Sequence, residues 1–247
     1  MNRDEYGRMA RVERSHWWYR STRELLAGVF VPHLPARALV LDAGCGTGAT
    51  GAWLAERHAV VGLDAEPLAV ELYAGLHPAV PLLTGDVSRL PLRDASVDAV
   101  LCVTVLCHQA ILDPQAAVAE LVRVIRPGGA LCLLEPGVRR LRRAHDRAVH
   151  VVRRFAVEDM RRLVAGSGCE VVRASGAYSF LVPPAAVKAV IERGRAASDL
   201  DGQSGAVGRV LAGMAAVERR WLAAHDLPAG LSVWAVGVKP GVGPSGW

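Results

Sequence analysis

The stretch Val40-Leu41-Asp42-Ala43-Gly44-Cys45-Gly46-Thr47-Gly48 constrains this chain more than any other. An apolar run from Ala38 to Leu41 stops at an acid. Glycines then alternate with small residues, and a helical pattern from Ala49 to Arg57 begins. The spacing reads as strand, tight turn, helix. Glycines there let the backbone turn sharply and let a ligand approach with no Cβ in the way. A nucleotide-like cofactor at the carboxyl end of a first strand is the first expectation.

The glycines alone leave two cofactors open. Gly44 to Ala49 also fits the G-x-G-x-x-A form of the dinucleotide fingerprint. A second acid, Asp64, ends the next strand (Ala59 to Leu63), about 20 residues on, where a carboxylate can hold ribose hydroxyls. That arrangement suits NAD and S-adenosylmethionine (SAM) alike. Asp42, placed before the first glycine, separates them. It would repel a pyrophosphate, whereas a cofactor carrying a sulfonium and an ammonium tolerates or favours it. The bland alternative is an aspartate that only caps the loop through backbone N–H groups.

With 247 residues and a hydrophobic content of 51%, the chain can bury the core of one α/β domain and is not disordered. No apolar run approaches the roughly 20 residues of a membrane span, and the start Met1-Asn2-Arg3-Asp4-Glu5 lacks a signal-peptide apolar region. A cytoplasmic protein without a membrane partner is expected. The net charge of +5 gathers in Arg139-Arg140-Leu141-Arg142-Arg143 and Arg153-Arg154. No aromatic residues interleave there to stack bases, so nucleic acid is not the expected partner. A solvated helix face or a site for an acidic substrate is. The five cysteines are an odd number with no C-x-x-C pair, which reads as reduced buried thiols and no metal site.

Helical periodicity from Glu5 to Val31 ends before Pro32. It contains His16-Trp17-Trp18-Tyr19-Arg20, either a staple over the sheet or a lid from which Tyr19, Arg20 or Arg23 reaches a cofactor carboxylate. A helix opens at Pro67. Val80 to Leu83 forms a short strand before Gly85-Asp86-Val87, where Asp86 can accept from an exocyclic amine. Val97 to Val103 is a near-continuous apolar run, as in a central parallel strand. Polar groups from Thr104 to Gln109 follow its carboxyl end. A helix from Pro114 to Arg126, a turn at Pro127-Gly128-Gly129 and a strand from Ala130 to Leu134 come next.

Asp42-x-Gly44-x-Gly46-x-Gly48, Asp64, Gly85-Asp86 and Arg123 to Gly129, in that order, resemble a class I SAM-dependent methyltransferase. The remainder is similar to a set of bacterial small-molecule methyltransferases that share a His-Trp-Trp segment, a connector like His145-Asp146 and His150-Val151-Val152-Arg153-Arg154, and an end like Leu227 to Ser232. Phe155 stands where tyrosine is common in that set, and Ala156 where a capping threonine is common. The resemblance implies a Rossmann-like, seven-stranded, mostly parallel sheet with an N-terminal helix and a helical cap inserted before the last strand. One domain is expected over 1–247: an N-terminal helix or lid (1–31), a SAM-binding core (38–178), a cap (179–228) and a last strand (231–239). In the cap, Val182 to Arg195 and Gly205 to His225 read as helices joined by a loop from Ser198 to Ser204. A loose tail runs from Pro240 to Trp247.

The cofactor candidates are Asp42, Gly44, Cys45, Gly46, Asp64, Ala65, Asp86, Val87, Val103, Tyr19 and Arg20. His108, His145 and His150 are the candidate bases. Asp146 and His150 lie four apart, so on a helix they would share a face and could pair. Arg153, Arg154 and Tyr178 are candidates for substrate binding. Three functions stay open: methyl transfer to a small secondary or sugar metabolite; another SAM-using reaction, in which the aminocarboxypropyl arm is attacked and methylthioadenosine released; and NAD-dependent oxidoreduction. Asp42, Asp86 and the lack of a Tyr-x-x-x-Lys pair disfavour the last. A monomer or homodimer is expected.

Overall fold

The structure, a computed structural model, describes residues 3–191 and 205–241. Its sheet contains β1 (Leu39–Ala43), β2 (Ala59–Asp64), β3 (Leu82–Thr84), β4 (Val97–Val103), β5 (Ile125–Pro136), β6 (Glu170–Ala177) and β7 (Ser232–Val238). The seven strands lie in the order β3-β2-β1-β4-β5-β7-β6. The first five run parallel, and β7 enters antiparallel between β5 and β6. Winding proceeds outward from β1 to β3, then returns to the other side of β1 at β4. The carboxyl ends of β1 and β4 therefore flank the switch point where open α/β sheets bind ligands.

Alternation along each strand feeds two apolar layers. On one face Leu41, Val100, Leu131 and Leu133 meet Val118 and Leu121 of α4 (Pro114–Val124) and Met160 and Val164 of α6 (Val157–Gly166). On the other Val40, Leu101, Cys132 and Trp234 meet Leu25, Leu26 and Phe30 around α2 (Trp17–Val29) and Leu222 of α8 (Ala206–Leu222). Asp113 starts α4 by accepting from the Gln115 and Ala116 amides at 2.9 and 3.2 Å, and Pro114 takes the first turn. The remaining helices are α1 (Arg3–Val12), α3 (Pro67–Leu76), α5 (Ala144–Ala148) and α7 (Val182–Ile191). Helices α7 and α8 stand between β6 and β7 in the chain, as a cap would. An Arg219–Glu24 ion pair at 2.9 Å links α8 to α2. All five cysteines are buried. Among the described residues no helix is long and apolar enough to cross a membrane.

Local geometry differs from the sequence reading at several places. The helix expected over Glu5 to Val31 is two helices. His16 has extended backbone, and its Nδ1 accepts from the Trp18 amide at 3.2 Å, so the imidazole caps a new helix at Trp17. The helix expected from Ala49 to Arg57 is only a 3-10 turn, Ala52–Glu56. The turn expected at Pro127 to Gly129 lies inside β5, because Gly128 donates to the Lys239 carbonyl and Lys239 donates to the Gly129 carbonyl. Residues 192–195, the loop from Ser198 to Ser204 and the tail from 242 on lie outside the described residues.

Candidate active site

A cavity of about 620 Å³ opens at the carboxyl edge of β1, β2 and β4. The glycine loop forms its floor. Gly44 has a φ of +74°, and a Cβ there would come within 2.3 Å of a Val105 methyl carbon. The loop after β1 thus packs directly on the loop after β4, which only glycine permits. Asp64 ties the floor together. One carboxylate oxygen accepts from the Gly46 amide at 2.9 Å and the other from the Glu66 amide at 2.9 Å. Burial raises its carboxyl above the ordinary range, and these amide donors oppose the rise.

Asp42 lies beneath the loop, outside the cavity lining. Its Oδ2 has no hydrogen-bond partner among the described residues. A Cβ on Gly51 would stand 2.0 Å from that oxygen, so the glycine makes room for the carboxylate. Burial, with Asp64 nearby, pushes Asp42 up to about 7. The N-terminal segment clamps the same loop: Thr47 donates to Glu13, and Arg23 donates to the Ala49 carbonyl at 2.8 Å. Burial pushes Glu13 up to about 7, opposed by the Thr47 hydroxyl.

Gly44, Cys45, Gly46, Asp64, Ala65, Asp86, Val87, Val103 and Tyr19 all line the cavity. Arg20, expected beside Tyr19, is exposed and does not. Tyr178 also lies away from it. Its hydroxyl meets Thr22 at 2.9 Å, and its ring packs edge-on against Trp17, 5.8 Å between centroids. Trp17 and Trp18 line the cavity beside Tyr19, and Tyr6 and Met9 of α1 join them.

The far wall is built from the loop after β4 and the connector after β5. Glu135, at the end of β5, is fully buried. It accepts from the Val105, Leu106 and Cys107 amides at 3.0, 2.8 and 3.1 Å, which fixes the loop carrying His108. Burial pushes Glu135 up to about 7 against those donors. In the connector, Arg154 grips both oxygens of Asp146, at 2.6 and 3.0 Å, and donates to the Gly137 carbonyl at 2.9 Å. Arg153 donates to the Ile111 carbonyl at 2.6 Å and the Leu106 carbonyl at 3.3 Å. Both expected substrate arginines thus hold wall to wall; Arg154 still lines the cavity, and Arg153 does not.

His108, His145 and His150 all line this wall. Asp146 and His150 do not share a helical face, because α5 ends at Ala148 and His150 turns left-handed with a φ of 57°. Burial pushes His108 down to about 4, opposed by the backbone of Thr104, Val149 and His150. Thr104, a second cavity residue, also has positive φ, at 55°. Such backbone strain gathers where a site must be held in place. Arg143, which the sequence reading named only as part of the basic stretch, lines the cavity, and so does Lys188, which had no place in that reading. Nor did Glu135, although its position at a strand end, like that of Asp42 and Asp64, was a usable signal. Glu13 had none.

The family pattern described as a methyltransferase domain matches residues 41–133. A malonyl-[acyl-carrier protein] O-methyltransferase of Serratia marcescens is 39% identical over 113 residues, 45% of this chain and 43% of that one. An uncharacterised methyltransferase of Mycobacterium bovis is 43% identical over 103 residues, 41% of each chain. Over residues 41–133 the chain is thus similar to SAM-dependent methyltransferases. The chain spans less than half the length of the curated relatives it matches. Beyond the methyltransferase segment, the whole fold is similar to the [4+2]-cyclase SpnF, with a TM-score of 0.59 and 22% identity over 90% of this chain and 81% of that one. At that identity the likeness speaks for fold alone. The methyltransferase-domain pattern thus covers the glycine loop, Asp64 and Asp86, and ends before the connector and the cap.

Proposed function

We propose that this chain transfers the methyl group of SAM to a small-molecule acceptor seated between the connector and the helical cap. One observation carries the reading. A single cavity joins the glycine loop, Asp64 and Asp86 to a polar wall of histidines under α7. The donor set fits the cofactor. Asp64 stands where ribose hydroxyls would be held, Asp86 where an exocyclic amine would donate, and Gly44 and Gly46 leave backbone bare for an amino-acid arm. Asp64, Glu66 and Asp86 make this end acidic, which suits a cation and not a pyrophosphate. The 3-10 turn after the loop also offers no long helix N-terminus of the kind that seats a pyrophosphate.

When bound, SAM supplies an electrophilic methyl whose transfer is an in-line displacement, so alignment and exclusion of water supply much of the rate. Trp17, Trp18 and Tyr19 close the cofactor side. Glu135 and the Asp146–Arg154 pair hold the opposite wall still. His108, unprotonated at neutral pH, accepts a hydrogen bond from the acceptor. Its low basicity suits orientation more than full removal of a proton. His145 and His150 are the further candidates for a base.

Fold does not choose which carbon of the cofactor reacts, and a cyclase shares this architecture. The test is to incubate the purified chain with SAM alone and identify the adenosyl product by mass spectrometry. Retained SAM or S-adenosylhomocysteine supports a methyltransferase waiting for its acceptor. Release of methylthioadenosine moves the reaction to the aminocarboxypropyl arm, and failure to bind either cofactor form removes the proposal.

A further inference from the structure

The helical cap carries apolar residues that the fold does not bury. In α8, Gly208, Ala215 and Leu222 are buried and form the stripe that packs the helix toward α2. Val207, Val210, Met214, Val217 and Trp221 recur at spacings of three and four, so they form a second stripe along another side of the same helix. These five are 43% to 67% exposed. Trp221 stacks on His225, 4.2 Å between ring centroids, and still stands half open to solvent. In α7, Val187, Val190 and Ile191 share a face in the same way and are 62% to 72% exposed. Single exposed apolar side chains are ordinary, but runs of them on one face of consecutive helices mark a contact surface.

Charge indicates what covers it. By helical spacing, Arg209 and Arg220 fall on the edge of the α8 stripe away from its buried side, and both are exposed. The only acid described in α7 and α8 is Glu218, which accepts from the Tyr178 and Ser179 amides. Glu24 pairs with Arg219 at 2.9 Å, and Asp226 with Arg173 at 2.7 Å. A second copy docked along this face would set arginine near arginine. The chain itself has little to lay over it: residues 192–204 contain one large apolar residue, Leu200, and those after 241 only Val242 and Trp247. A protein partner would need matched shape, with anchors seated in pockets. A lipid surface needs only an apolar stripe bordered by cations, and it accepts a tryptophan at the boundary.

We propose that the cap docks on an anionic lipid surface through the exposed stripe of α8 and the apolar face of α7, with Arg209 and Arg220 meeting lipid phosphates. This goes beyond the methyltransferase reading and does not depend on it. With 17 residues, α8 would lie in the surface plane over roughly 25 Å. That no described helix can cross a membrane has no bearing here, because a helix lying on a surface is amphipathic and not apolar throughout.

The experiment mixes the full chain with vesicles of phosphatidylcholine alone, or of phosphatidylcholine and phosphatidylglycerol in equal parts, and reads binding by flotation. The anionic vesicles should be bound about tenfold more tightly or better, and the preference should weaken as salt rises. Arg209→Gln with Arg220→Gln should remove most of that preference, about fivefold for each arginine. Val210→Ser with Val217→Ser should weaken binding to both kinds of vesicle by about tenfold or more. All four side chains are exposed, so the far-ultraviolet dichroism should match wild type. Equal binding to the two kinds of vesicle, binding that the serine substitutions leave unchanged, or no binding at all overturns the proposal. So does a dimer in sedimentation that the serine substitutions return to monomer, seen without vesicle binding, which would assign the face to a second copy.

Discussion

The two ends of the cavity use charge in opposite ways. At the cofactor end, Asp64 spends its carboxylate on the backbone it stands beside, bonding the Gly46 and Glu66 amides while still facing the cavity. One residue both braces the loop and lines the cavity. At the opposite wall the holding is spread over several residues. Arg153 holds backbone from outside the cavity, Arg154 and Asp146 hold each other and backbone while lining it, and Arg143, Lys188 and the histidines line it from other segments. A shared residue leaves a short, spaced motif. Divided residues scatter through a connector and a helix far apart in the chain.

The sharpest way to break this comparison is Arg154→Met. Removing one partner of a buried ion pair costs about 3–5 kcal/mol, read as a fall in urea midpoint. The double variant with Asp146→Asn should recover part of that loss. A single-variant loss below about 1 kcal/mol would mean that the pair behaves like a surface contact and does not frame the wall.

Asp64→Ala comes next. Cofactor affinity should fall about a hundredfold, or ~2.7 kcal/mol, with the far-ultraviolet dichroism retained. Wild-type affinity would show that Asp64 serves the loop alone.

A smaller effect, spread over pH, concerns the buried acids. Asp42 sits at about 7 when folded, and an aspartate in an unfolded chain near 4. Between those values the folded protein keeps a proton that the unfolded chain has lost, so this residue favours the fold at low pH and progressively less as pH rises to about 7. Glu13 and Glu135, also raised to about 7, act in the same sense. His108, lowered to about 4, opposes them up to the ordinary histidine value near 6.5. Asp42→Asn should therefore gain stability relative to wild type by on the order of 1 kcal/mol for each pH unit crossed within the window. Urea melts at about pH 5 and pH 8 measure it. A difference independent of pH would show that Asp42 is not the titrating group.

Arg20→Ala should change least. The side chain is exposed and off the cavity, so stability should stay within about 0.5 kcal/mol and cofactor affinity should not move. A large loss of affinity would place Arg20 over the cofactor in the bound state and restore the lid reading.

Much of the cofactor end was legible before any coordinates. Asp42, the glycines, Asp64 and Asp86 follow strand ends whose apolar runs mark them, and parallel topology carries strand ends to one edge. Asp42 shows the limit of that reading. It stands inside β1, one residue before the strand's end, and only the packing of Gly51 against it shows that the carboxylate lies under the loop and not in the cavity. The helix break at His16 was hidden because an imidazole is an uncommon cap, and apolar periodicity continues across it.

The sequence by itself determined the doubly wound core and the acidic rim of its cofactor edge, because both follow from local patterns repeated at each strand end. Tertiary structure alone decided what Arg153 and Arg154 hold, and that Arg154 lines the cavity while Arg153 does not. Arg153, Arg154 and Arg143 have the same chemistry in the same connector, and only their neighbours differ. Whether a guanidinium meets a buried carboxylate or a loop carbonyl depends on chain segments brought together from far apart, and no spacing along the chain records that.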